Sequence, residues 1–208
     1  MKTMITIAAA TALLAAAGGA AAQSPQSVTV GGTAPAICML PASYSFVSGN
    51  AGATGAGFSG QVWSIPPSAF AGTDATPVPG DGYAIRVRGT GFCNTSHTIE
   101  VKSARGGLSE GAQGAAAPAG FANRRNMTYR AHWTNGSNST PVGPVAEIVN
   151  VSSPGAQSTS AYTVSGTLPP PGSRPFDVVM SVQRPPLATP LVAGFYWDTV
   201  TVTLAPSS

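Results

Sequence analysis

The sequence alternates between apolar and polar residues in many short segments, and this alternation constrains the fold more than any other feature. In the last segment, residues 199–204, valine or leucine alternates with threonine. Alternation with a period of two is typical of a β-strand that buries one face. The 19 prolines and 25 glycines are spread through the chain, and no window after residue 22 shows a clean helical period. We therefore expect an all-β protein.

Nine segments have strand character, and turns rich in Gly, Pro, Asn and Ser separate them. Short strands in this arrangement indicate a single antiparallel β-sandwich. Residues 48–60, 66–82 and 106–120 are predicted to be loops within that domain, because strands of the same kind resume after each. The predicted strands are residues 28–40, 61–65, 83–88, 98–103, 127–133, 145–151, 161–165, 176–183 and 195–204.

Two of these segments indicate which side chains enter the core. In residues 127–133 and 176–182 every second residue is apolar, as expected for antiparallel strands with one covered face. Arg130, His132 and Asp177 are expected on the opposite, solvated face. The predicted core residues are Met127, Tyr129, Ala131, Trp133, Phe176, Val178, Met180 and Val182.

The first residues have the composition of a secretory signal peptide, which we place at residues 1–22. An apolar run rich in alanine and leucine is followed by small residues up to Ala22, the expected cleavage point. We then expect an N-terminal extension over residues 23–36 and the β-sandwich domain over residues 37–208. No later stretch approaches the roughly 20 apolar residues that a membrane span needs, so no span is expected in the mature chain.

Charge and cysteine content narrow the classes of partner. Charged residues are 8% of the chain, the formal net charge is +3, and the one basic pair is Arg124 with Arg125. This pattern indicates neither a nucleic-acid nor a membrane partner.

The two cysteines, Cys38 and Cys93, predict one disulfide in an exported chain. The alternative, a pair of metal ligands, lacks the short Cys/His spacings of such sites.

Few residues are suited to catalysis. The two histidines, His97 and His132, lie at the polar phase of predicted strands and are expected on the surface, without partners at metal-ligand spacing. Asp198 is expected to be a turn carboxylate that binds nearby backbone, and Asp177 a turn or surface group. We expect no enzyme, no cofactor and no metal site.

Two alternatives stay open at this point. A hydrolase can use two carboxylates that meet in space without any sequence motif. The tryptophans Trp63, Trp133 and Trp197 and the five tyrosines are expected to pack in the core or at its edges, but they also allow a sugar-stacking platform. A secreted carbohydrate-binding module would need that platform exposed, and a hydrolase would need paired polar groups in a pocket.

Three segments carry a resemblance to a known family. Residues 91–108 begin Gly-Phe-Cys-Asn and end Ser-x-x-Gly-Gly-Leu, with a strand between. Residues 166–182 and 190–204 follow with a Gly/Pro turn, a strand, a Gly-aromatic turn and a closing Asp-Thr-Val-Thr-Val-Thr strand. In order and spacing these segments resemble the spore coat protein U-like subunits, which are secreted and assembled by chaperone/usher machinery.

The resemblance implies an incomplete immunoglobulin-like, pilin-like sandwich that lacks one strand and exposes an apolar groove. A periplasmic chaperone would fill the groove first, and at the outer-membrane usher the N-terminal extension of another fibre subunit would replace it by strand addition. The implied donor residues are Val28, Val30 and Gly32, and the implied acceptor edge is Val200, Val202 and Leu204.

The donor strand is weak, because Val28 and Val30 are its only bulky residues and Pro35 lacks a backbone donor. A minor or terminal subunit, or a secreted relative that does not polymerise, therefore stays open beside a polymerising one. The function that the resemblance implies is a structural subunit of a surface fibre in adhesion or biofilm formation. Its location would be the cell surface or an extracellular fibre, reached through the periplasm.

Overall fold

A computed structural model describes residues 31–50, 57–77, 83–112, 115–135, 140–148, 158–164, 173–183 and 189–206, with the backbone alone for 158–164. Contacts divide the chain into two units, Met1–Ala34 and Pro35–Ser208. In the first unit, residues 31–34 are exposed and have no regular secondary structure. The second unit carries all the strands described, so the predicted all-β class is confirmed. In the described part of the chain, no helix is both long and apolar enough to cross a membrane.

The described residues form fourteen strands and one helical turn, α1, Pro67–Phe70. The strands are β1 Cys38–Met39, β2 Ser45–Gly49, β3 Phe58–Ser59, β4 Val62–Trp63, β5 Ala84–Cys93, β6 His97–Ser103, β7 Leu108–Glu110, β8 Arg124–Arg125, β9 Met127–Trp133, β10 Ala146–Ile148, β11 Ser158–Val164, β12 Arg174–Val182, β13 Tyr196–Trp197 and β14 Val200–Pro206.

The largest sheet has the order β1-β5-β12-β9-β10, and all of its pairs are antiparallel. β2 also pairs with β5, so β1 and β2 occupy successive stretches of one edge of that long strand. The chain between them passes close over β5 at Gly89, where an added Cβ would collide with Pro41 and with the carbonyl of Ser43. Glycine at this position therefore permits the break between β1 and β2.

A second layer consists of the sheet β11-β6-β14 together with the small sheet β13-β7-β8. β7 follows β6 along the chain and β13 precedes β14, so the small sheet extends the same layer. Asn126 alone separates β8 from β9, and the chain crosses there from the second layer into the large sheet. The two layers and their antiparallel pairs make a sandwich-like fold.

The core lies under the apolar faces of β5, β6, β9 and β12. Seven of the eight predicted core residues are buried, and Met180 is half-buried against them. Trp133 is at the centre of this cluster: its Nε1 donates to Nε2 of His97 at 2.9 Å, and its ring meets Phe176 edge-on at 4.9 Å. The core prediction is therefore confirmed for these two strands.

Three polar residues that were expected on the surface are buried instead. His97 lies on the same face of β6 as Ile99 and Val101, because it is two residues from Ile99, and it is fully buried with them. His132 and Asp177 do lie on the face opposite the core, but that face is covered as well. The surface assignment of all three was wrong.

Asp177 is buried because it is paired. Arg88 lies directly opposite on β5, and its Nε and Nη2 donate to the two carboxylate oxygens at 2.6 and 2.9 Å. Arg86 adds a second cation, with its Nε 3.6 Å from the same carboxylate. A buried carboxylate with a two-pronged arginine partner avoids the desolvation penalty of an unpaired charge.

Several strand boundaries differ from those predicted. β5 continues through Gly89 and Gly91 to Cys93, whereas the alternation had placed its end at residue 88. β3 and β7 lie inside segments that were predicted to be loops, and β2 and β8 were missed. The predicted strand over residues 28–40 is described from residue 31 onward. Within that part only Cys38–Met39 forms a strand, and residues 31–37 have no regular structure.

Candidate functional site

The clearest candidate site is the edge of the second layer formed by β14. β14 pairs with β6 on one side, with Val202 opposite Val101 and Leu204 opposite Ile99. Within the described residues no strand pairs with its other side. β14 therefore ends the described sheet with a row of backbone N–H and C=O groups along its outer edge.

Burial falls sharply across this sheet. Ile99 and Val101 of β6 are fully buried. On the same face, one strand farther out, Val200, Val202 and Leu204 of β14 are half-buried. The apolar interior is thus closed beneath β6 and opens towards solvent at β14.

The edge of the large sheet lies close to β14. Its edge strand β1 approaches β14, and Cys38 of β1 packs against the core. Ile37, just before β1, is 41% exposed, and Met39 in β1 is 57% exposed. We call the unpaired side of β14, with Val200, Val202 and Leu204 and the neighbouring strand β1, the open edge.

The disulfide anchors the open edge. Cys38 and Cys93 lie directly opposite one another on β1 and β5 and are bonded, as the cysteine content predicts. Asn94, next to Cys93, accepts from the backbone N–H of Ile37 at 2.7 Å and donates to the carbonyl of Pro35 at 2.9 Å. Together these links hold residues 35–38 against the end of β5, although β1 has only two residues.

The metal-site alternative for the cysteines does not fit the donor set. Cys38, Cys93 and His97 lie within metal-ligand distance of one another, but the two sulfurs are bonded to each other. His97 is also engaged at both nitrogens, since Nε2 accepts from Trp133 and Nδ1 lies 2.9 Å from the carbonyl of Thr95. This pattern requires the tautomer with hydrogen on Nδ1. Both ring nitrogens are therefore used in hydrogen bonds inside the core.

Asp198 fixes the start of β14. Its carboxylate accepts from the backbone N–H of Thr199, as the turn interpretation predicted. It also accepts from the hydroxyl of Tyr129 in the large sheet, and this hydrogen bond joins the two layers. Burial and the Asp198 charge raise the pKa of Tyr129 well above its ordinary value. The remaining hydrogen bonds to Asp198 come from Ser103 Oγ at 2.5 Å, Tyr129 Oη at 2.7 Å, Arg105 N at 2.9 Å and Gly107 N at 3.3 Å.

The aromatic residues divide into interior and surface groups. Trp133 is in the core, and Trp63 stacks on buried Tyr83 with ring centroids 5.6 Å apart. Trp197 is 43% exposed and Phe195 is 79% exposed. Sequence reasoning had not separated these groups, because all three tryptophans lie in strand-like segments.

The donor residues are only partly within the described chain. Val28 and Val30 lie outside the described residues, as does the predicted signal peptide over residues 1–22. Gly32 is described, and it is exposed and in no strand. The acceptor residues Val200, Val202 and Leu204 are the half-buried face of the open edge.

Comparison of the chain with models of protein families, with curated proteins and with solved structures finds no match. The resemblance to spore coat protein U-like subunits therefore depends on the sequence segments alone. The geometry of the open edge is independent of that resemblance.

Proposed function

We propose that this chain is a structural subunit of a secreted surface fibre that serves adhesion or biofilm formation. In this proposal it reaches the cell surface through the periplasm and is assembled by strand addition with a periplasmic chaperone and an outer-membrane usher. The observation that supports the proposal is the open edge. An immunoglobulin-like sandwich without its last strand would present such an edge.

The physical argument concerns what an added strand would gain. A strand placed beside β14 would pair with its backbone groups and cover Val200, Val202 and Leu204, which are half-buried. Complete burial of a valine or leucine side chain contributes roughly 1.5–3 kcal/mol relative to full exposure. An uncovered edge of this kind is an aggregation hazard, which gives a chaperone a reason to occupy it before assembly.

The donor in this proposal is the N-terminal extension of another copy or of another subunit. In an extended donor segment Val28, Val30 and Gly32 would share one face, so the two valine side chains would point towards the same groove. The two valines would supply most of the apolar contact. A donor with two bulky residues suits a minor or terminal subunit as well as a repeating one.

The test uses paired substitutions on β14. Val202→Asp places a charge on the inward face of the open edge, whereas Thr201→Asp places the same charge on the exposed face, opposite Lys102. We expect Val202→Asp to abolish multimer ladders in unheated detergent gels and Thr201→Asp to leave them intact. The donor variant Val28→Asp/Val30→Asp should also block assembly while the domain stays folded.

Assembly by both Val202→Asp and the donor double variant would contradict the proposal and favour a self-contained secreted module. Three of the described carboxylates have partners of their own and do not form the free pair that a hydrolase would use. Asp177 is paired with Arg88, Glu147 is paired with Arg130, and Asp198 is surrounded by its donors.

A further inference from the structure

The outward face of the closing segment carries a row of exposed side chains. Along residues 195–203 exposure alternates, and the residues with even numbers from 196 onward face the interior. Phe195 is 79% exposed and Trp197 is 43% exposed. We call this set the outward row; its members are Phe195, Trp197, Thr199, Thr201 and Thr203.

Trp197 is held in place from beneath. The guanidinium carbon of Arg105 lies 4.2 Å from the centroid of the Trp197 ring. Arg105 is itself 6% exposed, and its Nε donates to Ser109 Oγ at 2.6 Å while its Nη2 donates to the carbonyl of Gly111. One face of the indole therefore rests on a fixed cation, and its exposed area belongs to the opposite face and the ring edge.

The aromatic patch is small compared with a whole protein interface. Aromatic side chains bury about 150–250 Å² each, so exposed fractions of 79% and 43% leave roughly 200–300 Å² on Phe195 and Trp197 together. A stable protein interface needs about 800 Å² on each partner. Beyond the rings the row continues as threonine hydroxyls, which interrupt the apolar surface.

Charge around the row argues against an ionic polymer. Lys102 lies opposite Thr201 and Glu100 lies opposite Thr203, so one cation and one anion flank the threonines. Their charges offset each other. A neutral ligand fits this surface, with an apolar face for the rings and hydroxyl groups for the threonines.

We propose that the outward row binds a neutral polysaccharide chain. Pyranose rings stack their C–H faces on Trp197 and Phe195, and their hydroxyl groups bond to Thr199 and Thr201. Trp197 belongs to β13, and Thr201 and Thr203 belong to β14, where residues two apart are roughly 6.6 Å apart, so the row offers successive contacts to an extended chain. A rigid aromatic surface loses little conformational entropy on binding.

This surface is distinct from the open edge. Thr201 and Thr203 of the outward row lie on the face of β14 opposite Val200, Val202 and Leu204, and the two rings of the row precede β14 in the chain. A strand added beside β14 would leave the row uncovered. One protein subunit can therefore bind the polysaccharide without fibre assembly. Repetition of the subunit in a fibre would raise the avidity without new contacts.

The experiment is native affinity electrophoresis of the purified mature chain in gels that contain hydroxyethyl cellulose, galactomannan or dextran as neutral probes. Carboxymethyl cellulose is the charged comparison. We expect retardation by at least one neutral probe. Phe195→Ala and Trp197→Ala should each lower the affinity for that probe at least tenfold. Phe121→Ala, which removes a ring that is 48% exposed outside the row, is the matched control and should leave retardation unchanged.

Trp197→Phe separates stacking from folding, because it keeps a ring above Arg105 and should retain part of the binding. Far-UV circular dichroism checks that each variant is folded. The proposal is overturned by an unretarded wild-type chain in all three neutral gels. Retardation by carboxymethyl cellulose alone, or equal loss in Phe121→Ala and the row variants, would also overturn it.

Discussion

Trp133 joins the two layers of the core, so its removal tests the packing directly. The residue is 1% exposed, its indole N–H donates to Nε2 of His97, and its ring lies against Phe176. An added Cβ at Gly91 would lie 3.1 Å from the indole, so the ring also packs closely on β5. Three strands of the large sheet and β6 of the second layer therefore meet at this side chain.

The expected cost of Trp133→Ala follows from two terms. Truncation of a buried tryptophan costs about 3–5 kcal/mol through lost burial and the cavity that remains. The buried His97 Nε2 would also lose its donor, which adds about 1–3 kcal/mol. Trp133→Phe keeps most of the ring volume and removes the N–H, so its cost should be about 1–3 kcal/mol.

Urea denaturation followed by far-UV circular dichroism measures the free energy of unfolding without relying on tryptophan fluorescence. Val62→Ala is the control, because Val62 is 61% exposed and should change stability by less than about 0.5 kcal/mol. The reasoning is refuted if Trp133→Ala also stays within about 0.5 kcal/mol of the wild type. A Trp133→Phe variant as stable as the wild type would refute the hydrogen-bond term alone.

Two further predictions concern the disulfide and alkaline stability. Mass spectrometry of the unreduced mature chain should find Cys38 and Cys93 joined and no alkylatable thiol; two free thiols would contradict the structure. Burial and the Asp198 charge raise the pKa of Tyr129 in the folded protein. The stability that neutral Tyr129 contributes is therefore complete below about pH 10, the pKa of tyrosine in the unfolded chain, and is lost at higher pH. Melting temperatures from about pH 8 to about pH 11 should fall less steeply in Tyr129→Phe, and equal slopes would contradict this assignment.

The surface assignment of Asp177 and His132 was wrong for a physical reason. Asp177 and His132 have the period expected for an outward face, and that phase was correct. Their burial depends on Arg88 and on what else covers the sheet, which alternation within one strand does not report. The position of His97 two residues before Ile99 was a usable signal, because strand periodicity extends to that residue.

The sequence by itself determined the strand character of most segments, the inward faces of β9 and β12, and the pairing of two cysteines. These are local properties, since alternation and composition act within one segment. The tertiary structure decided which strands are neighbours, and hence that β14 has no outer partner among the described residues and leaves Val200, Val202 and Leu204 half-buried. It also placed Arg105 beneath Trp197, because a cation reaches that ring only when β7 and β13 pair.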